Sequence, residues 1–160
     1  MILLGIAMLV LALDQTTKFL VLHELRLNES VPLFQDMVYL TYKQNPGTAF
    51  GFMANMEPVV RIPFFVAVSL AAFAIVYTYQ HFLPPEKHLP RVGLGLVLGG
   101  ALGNLLDRLL YGRVIDFIDF RWEDFQWYVF NVADSCVLAG LLILLMVFLS
   151  GQKEKAAEAG

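Results

Sequence analysis

The amino-acid sequence predicts a mainly α polytopic membrane protein with four transmembrane helices, and two observations carry that class. Of its 160 residues, 58% are hydrophobic and 16% charged, against roughly 45–50% and 25% in an ordinary soluble domain. Four stretches, 1–22, 59–83, 92–111 and 129–149, are predominantly apolar, and each has the ~20 residues a helix needs to cross a hydrocarbon core of ~30 Å. The length fits one membrane-embedded domain. Eleven basic and 14 acidic residues give a net charge of −3, which excludes a nucleic-acid partner, because that needs a clustered basic face. Cys136 is the one cysteine and makes no internal disulfide, and His23, His81 and His88 are too scattered to form a metal site on their own.

The first stretch is expected to remain as a helix. No basic residue precedes its apolar run, and no small-x-small cleavage site appears before Asp14. In the long connection 23–58, residues 37–43 (Met-Val-Tyr-Leu-Thr-Tyr-Lys) are rich in β-branched and aromatic side chains and are followed by Asn45-Pro-Gly47 as turn chemistry. This reads as a short β element on the membrane surface. Pro84 and Pro85 close the second span, and Pro90 delays the third. The connection between them is short, so these spans are antiparallel neighbours. In the connection 112–128, residues 121–128 interleave aromatic and polar side chains, which suits either an interfacial anchor or a substrate-touching segment. The tail 151–160 is polar and expected to be disordered.

Four spans put the two long connections on one side of the membrane. That side carries seven Lys and Arg residues against four on the other, so the positive-inside rule would place it in the cytoplasm. The vote is compromised because Lys18 and Arg108 lie within spans next to carboxylates, and Arg113 and Arg121 share a loop with four acids.

A charge inside a span costs ~2.5–3.5 kcal/mol on insertion scales, so charges kept there are functional candidates. Asp14 and Lys18 are four apart on one helix face and pair; Asn104, Asp107 and Arg108 share a face near the end of span three. For Lys18 and Arg108 the simpler role is locking helices together. Asp14 fits that role and a functional one equally.

The sharper feature is a pair of carboxylates, Asp116 after span three and Asp134 at the start of span four, eighteen residues apart and on one membrane face. Asn131 lies three residues before Asp134, close enough to hold it or a bound water. Two neighbouring carboxyls cannot both ionise, which leaves one as acid and one as base. Asp134 also reads as a helix N-cap and Asp116 as a loop acid. A rival grouping of Asp107, Asp116, Asp119 and Asp124 would hold Mg²⁺ for phosphoryl transfer, although no glycine-rich phosphate cradle accompanies it. A proton-coupled carrier is a third reading of membrane acids. Ser135 and Cys136 are weak nucleophile candidates, with no histidine near them in sequence.

Five motifs in order resemble those of the lipoprotein signal peptidases (signal peptidase II): Asp14-Gln-Thr-Thr-Lys18, Asn45-Pro-Gly-Thr-Ala-Phe-Gly51, Gly99-Gly-Ala-Leu-Gly-Asn-Leu-Leu-Asp-Arg108, Val114-Ile-Asp-Phe117 and Phe130-Asn-Val-Ala-Asp-Ser135. The resemblance covers nearly the whole chain. It implies Asp116 and Asp134 as the catalytic pair, with Asp14, Asn45, Asn104, Arg108 and Asn131 lining the site. It further implies four transmembrane helices with a small extracytoplasmic β-cradle, both termini in the cytoplasm, and therefore an orientation opposite to the Lys and Arg count. The implied enzyme is a monomeric aspartic endopeptidase of the bacterial inner membrane that needs no metal or other cofactor. Its implied partners are membrane lipid and diacylglyceryl-modified prolipoproteins, cleaved on the amino side of the lipidated cysteine. The extra acid Asp119 and the short, acid-containing second loop depart from the family pattern. Residues 45–51 or 122–128 are expected to move over bound substrate.

Overall fold

The computed structural model describes residues 1–34, 37–47, 53, 55–123 and 125–158, with side chains up to residue 152. Among these residues the chain forms, in order, α1 (Ile2–Glu24), β1 (Ser30–Phe34), β2 (Val38–Asn45), α2 (Pro58–Phe82), α3 (His88–Tyr111), β3 (Val114–Trp122), β4 (Phe125–Gln126) and α4 (Val132–Glu158). The helices α1, α2 and α3 and the Val132–Gln152 part of α4 have 23, 25, 24 and 21 residues and are apolar enough to cross a membrane. At 1.5 Å per residue each reaches about 30 Å or more. Leu4, Val68, Tyr77, Leu141 and Leu145 point outward and are exposed, the arrangement expected where hydrocarbon is the solvent.

Helix α3 is central and packs against α1, α2 and α4. Its glycines make the close approach possible. A Cβ at Gly99 would lie 2.7 Å from the Ala7 carbonyl oxygen of α1, and one at Gly103 would collide with the Asp14 carboxylate. Gly100 instead faces the Ala133 carbonyl of α4. The small residues of α3 therefore serve two neighbours. Without side chains between them, backbones meet by van der Waals packing alone, as in other membrane helix pairs.

The four strands form one antiparallel sheet in the order β1-β2-β3-β4. Strand β2 extends the β element expected at 37–43, but the nine-residue β3 was not anticipated, because two aspartates in Val-Ile-Asp-Phe-Ile-Asp-Phe-Arg-Trp are poor strand formers. Tertiary burial overrides that preference. Tyr42, Ile115 and Phe117 form a core cluster with Val21 of α1, which seats the sheet on the end of the bundle. The register of β2 on β3 slips by one residue between Leu40 and Lys43, and this bulge turns both Thr41 and Tyr42 inward. Lys43 then stands opposite Asp116. At the other terminus α4 continues to Glu158, so the polar tail, expected to be disordered, extends the helix.

Gly99→Leu is expected to destabilise the fold by about 1–3 kcal/mol through overpacking. Gly5→Leu, at a position where an added Cβ would meet nothing within 4 Å, is the control. Thermal unfolding in detergent checks the pair: a lowered midpoint for the first only.

Candidate active site

The two carboxylates reach each other through one backbone contact. Phe130 bridges Ile118 in antiparallel fashion, with Phe130 N–H donating to the Ile118 carbonyl at 3.0 Å and Ile118 N–H to the Phe130 carbonyl at 2.7 Å. This lays the start of α4 along β3, so that Asp134, eighteen positions after Asp116, comes near enough for its charge to act on Asp116. Asn131 caps α4. Its Oδ1 accepts the Asp134 N–H at 2.9 Å while its own N–H donates to Asp134 Oδ2 at 3.3 Å, a reciprocal capping box. Asp134 is thus the third helical residue and Asn131 the cap, which corrects the N-cap alternative for Asp134. The N-terminal end of α4 also favours a negative charge there.

Three amides hold the pair. Asn45 Nδ2 donates to Asp116 Oδ2 at 2.9 Å, and Asn131 Nδ2 to Asp116 Oδ1 at 2.7 Å. Asn104 Nδ2 donates to Asp134 Oδ1 at 2.7 Å. Asp116 is only 2% exposed. Burial, and next the negative charge of Asp134, push its carboxyl up to about 7, against the Asn45 and Asn131 hydrogen bonds and the positive charge of Lys18. A carboxyl so placed keeps a proton near neutrality beside a second carboxyl.

Asp116 and Asp134 open onto a cavity of about 1050 Å³. Asn45, Asn104 and Arg108 line its polar end, and Leu138, Ala139 and Leu142 of α4 form an apolar wall. Gln126, Trp127 and Tyr128 also line it. Arg108 spans the region: its guanidinium donates to the Asn104 carbonyl at 3.0 Å and the Gly47 carbonyl at 3.3 Å, and stacks 4.2 Å from the Phe65 ring centre. Of the residues expected to line the site, Asn131 and Asp14 are fully buried and stand behind the cavity wall. Residues 48–51 of the first-loop motif lie outside the described residues, as does Asp124, and the expected lid movement falls partly on them.

Behind the pair is a charged network that sequence spacing showed in part. Lys18 Nζ lies 2.8 Å from both Asp14 Oδ2 and Asp107 Oδ2. The i,i+4 spacing revealed the first contact, but the second joins two helices and left no local signal. Nor did spacing reveal the two peptide groups these acids hold, Ala133 N–H on Asp14 Oδ1 at 2.9 Å and Ile115 N–H on Asp107 Oδ2 at 3.1 Å.

The three described acids of the Mg²⁺ alternative, Asp107, Asp116 and Asp119, do not converge. Asp107 is engaged by Lys18, and Asp119 is held by Arg121, Thr41 and Gln126. Burial alone would raise the Asp119 carboxyl, but the hydrogen bonds from Arg121, Gln126 and Thr41, with the Arg121 charge, hold it below its ordinary range. Among the described residues no group of three or more His, Cys, Asp or Glu side chains is placed to share a metal.

Comparison with known proteins agrees with the geometry. A family model described as signal peptidase (SPase) II matches residues 6–150. A curated lipoprotein signal peptidase of Syntrophotalea carbinolica is 43% identical, over 91% of this chain and 89% of that protein. One of Moorella thermoacetica is 42% identical over 96% of both. Two solved structures described as bacterial membrane enzymes, obtained by the in meso method at 2.3 and 1.9 Å resolution, superpose with TM-scores of 0.86 and 0.76 at 25% and 27% identity. The first covers 96% of this chain and 90% of the solved chain; the second covers 92% of each.

Asn131→Ala is expected to cost about 1–2 kcal/mol by removing the α4 cap, whereas Asn131→Ser should retain most of it. Thermal denaturation of the two variants beside the parent protein checks this.

Proposed function

The chain belongs to the signal peptidase II family, a family of aspartic-type peptidases, and from that premise we propose that it removes the signal peptide of diacylglyceryl-modified prolipoproteins, cutting on the amino side of the lipidated cysteine. Asp116 and Asp134 are the catalytic pair. The observation that carries the reading is their joint placement at the polar end of one cavity whose other wall is formed by apolar Leu138, Ala139 and Leu142 of α4.

Water between the two carboxyls attacks the scissile carbonyl carbon. The ionised partner takes a proton from that water, and the protonated partner hydrogen-bonds the carbonyl oxygen. As the tetrahedral carbon collapses, the C–N bond breaks and a proton passes to the leaving amine. The products are a signal peptide with a new carboxylate and a lipoprotein with a free α-amino cysteine. No covalent intermediate forms. A coupled pair titrates as a unit, so the starting proton belongs to both.

Asn45, Asn104 and Arg108 stand where they would meet the substrate backbone. The acyl chains lie along Leu138, Ala139 and Leu142, which sets the depth at which the peptide bond meets the pair, a proximity effect. Asp14 and Asn131 support from behind. In the bacterial inner membrane both termini face the cytoplasm and the sheet lies outside, where lipidated precursors present their cleavage site. The enzyme acts as a monomer with membrane lipid around it.

Asp116→Asn and Asp134→Asn are each expected to lower cleavage of a synthetic lipidated precursor by about 10³-fold or more while leaving the protein folded. Normal cleavage by either would overturn the pair. Activity should persist in EDTA; its loss, with recovery on adding Mg²⁺, would favour the phosphotransferase alternative.

Burial and the Asp134 charge raise the Asp116 carboxyl to about 7, so kcat/KM should fall as pH rises through that value and the pair loses its shared proton. Asn45 donates to the ionised form of Asp116, so Asn45→Ala should raise that carboxyl further and move the falling limb to higher pH. A pH–rate profile of both proteins checks the sign.

A further inference from the structure

We propose that Lys18 and Asp107 are positioning residues for the aspartate pair: Lys18 sets the direction in which Asn104 presents its amide to Asp134, and Asp107 holds the peptide group next to Asp116. The inference rests on the reading of Asp116 and Asp134 given above.

Lys18 is 1% exposed and Asp107 fully buried, and neither lines the cavity. The Lys18 ammonium has three N–H bonds and three acceptors: Asp14 Oδ2 and Asp107 Oδ2, each at 2.8 Å, and Asn104 Oδ1 at 3.1 Å. An ammonium only donates. The Asn104 atom turned toward it is therefore the carbonyl oxygen, and the NH₂ is turned toward Asp134 Oδ1, 2.7 Å away. Rotated by half a turn, the amide would set N–H against ammonium and carbonyl oxygen against carboxylate.

Asn131 obeys the same polarity. Its Nδ2 donates to Asn104 Oδ1 at 3.2 Å and to Asp116 Oδ1 at 2.7 Å. One donor-only group in α1 thus orders hydrogen bonds that end on both carboxylates.

A second arm acts through the backbone. Asp107 Oδ2 accepts the N–H of Ile115 and Asp14 Oδ1 that of Ala133, the residues immediately before Asp116 and Asp134. Gln15 Nε2 ties the two acids together, at 3.1 Å from Asp14 Oδ2 and 3.0 Å from Asp107 Oδ1. A buried ion cluster is a poor source of stability compared with apolar packing. Helix locking alone does not account for a network that reaches both aspartates through Asn104 and Asn131 and the peptide groups before them through Asp107 and Asp14.

The test is a double-mutant cycle on cleavage of a synthetic lipidated precursor, using Lys18→Met, Asn104→Ala and both together. Lys18→Met should lower kcat about 10- to 100-fold with KM within about two-fold. In the Asn104→Ala background the same replacement should cost less than about three-fold, because the amide through which Lys18 acts is gone. An equal loss in both backgrounds, or a change in KM alone, would overturn the proposal. Lys18→Met combined with Asp107→Asn removes one positive and one negative charge together, so it supplies a folded comparator if the single variant fails to accumulate. Its kcat should also be low; a wild-type value would overturn the proposal. Asp116→Asn and Asp134→Asn, assayed alongside, separate the two failures. Active aspartate variants sink the catalytic pair, whereas inactive ones beside an additive Lys18–Asn104 cycle sink only the positioning role.

Discussion

A charge that cannot reach water must be matched inside the protein, and Lys18 is where this chain meets that constraint in full. Its ammonium is enclosed by Asp14, Asp107 and Asn104, with one acceptor for each N–H. The same demand explains the packing around it. A side chain at Gly103 would displace the Asp14 carboxylate, so close contact between α1 and α3 and satisfaction of the charge are a single requirement. The first turn of α4 joins the arrangement because Ala133 donates its N–H to Asp14. Three helices and the start of β3 are thereby referenced to one nitrogen atom.

From this anchor the site inherits its asymmetry. The polar end of the cavity is made by side chains whose partners are fixed amides, and the apolar wall belongs to α4, whose outward surface meets hydrocarbon. A substrate with a peptide and acyl chains joined at one cysteine has the same division. Burial bears on the carboxyl chemistry: Asp116 is 2% exposed and faces the negative charge of Asp134, and its carboxyl rises to about 7. Arg108 adds positive potential without neutralising either acid, since among the described residues it forms no ion pair and is held by two carbonyls and the Phe65 ring.

The four spans were legible because length and apolar content are local properties that the bilayer reads directly. The carboxylate pair was visible as spacing, but spacing alone also allowed a metal cluster and a carrier; the order of five motifs singled out one family. What stayed hidden was non-local. Strand β3 forms because Ile115 and Phe117 bury against Val21 and Tyr42, although its aspartates disfavour strand. Asp107 looked like one of three residues on a helix face, and only the approach of α1 gives it Lys18. Nor does the spacing of the α3 glycines reveal that they serve two neighbours, α1 and α4. Asp134 read as a cap because the box requires two residues and Asn131 takes the other half.

Asp116 and Asp119 show how one strand assigns opposite tasks to the same side chain. They are three residues apart on β3, and alternation along a strand sends an odd separation to opposite faces of the sheet. Asp116 turns to the cavity, where the nearby charge is another carboxylate, and its pKa rises. Asp119 is on the face of Arg121, two residues on, and of Thr41, which the β2 bulge turns inward, so its pKa falls. The extra acid is therefore a structural anion. Its reach extends further, because it accepts from Gln126 of β4, the residue after which Trp127 and Tyr128 line the cavity. Through that bond an acid on the far face of the sheet is tied to the segment that carries the aromatic lining of the cavity.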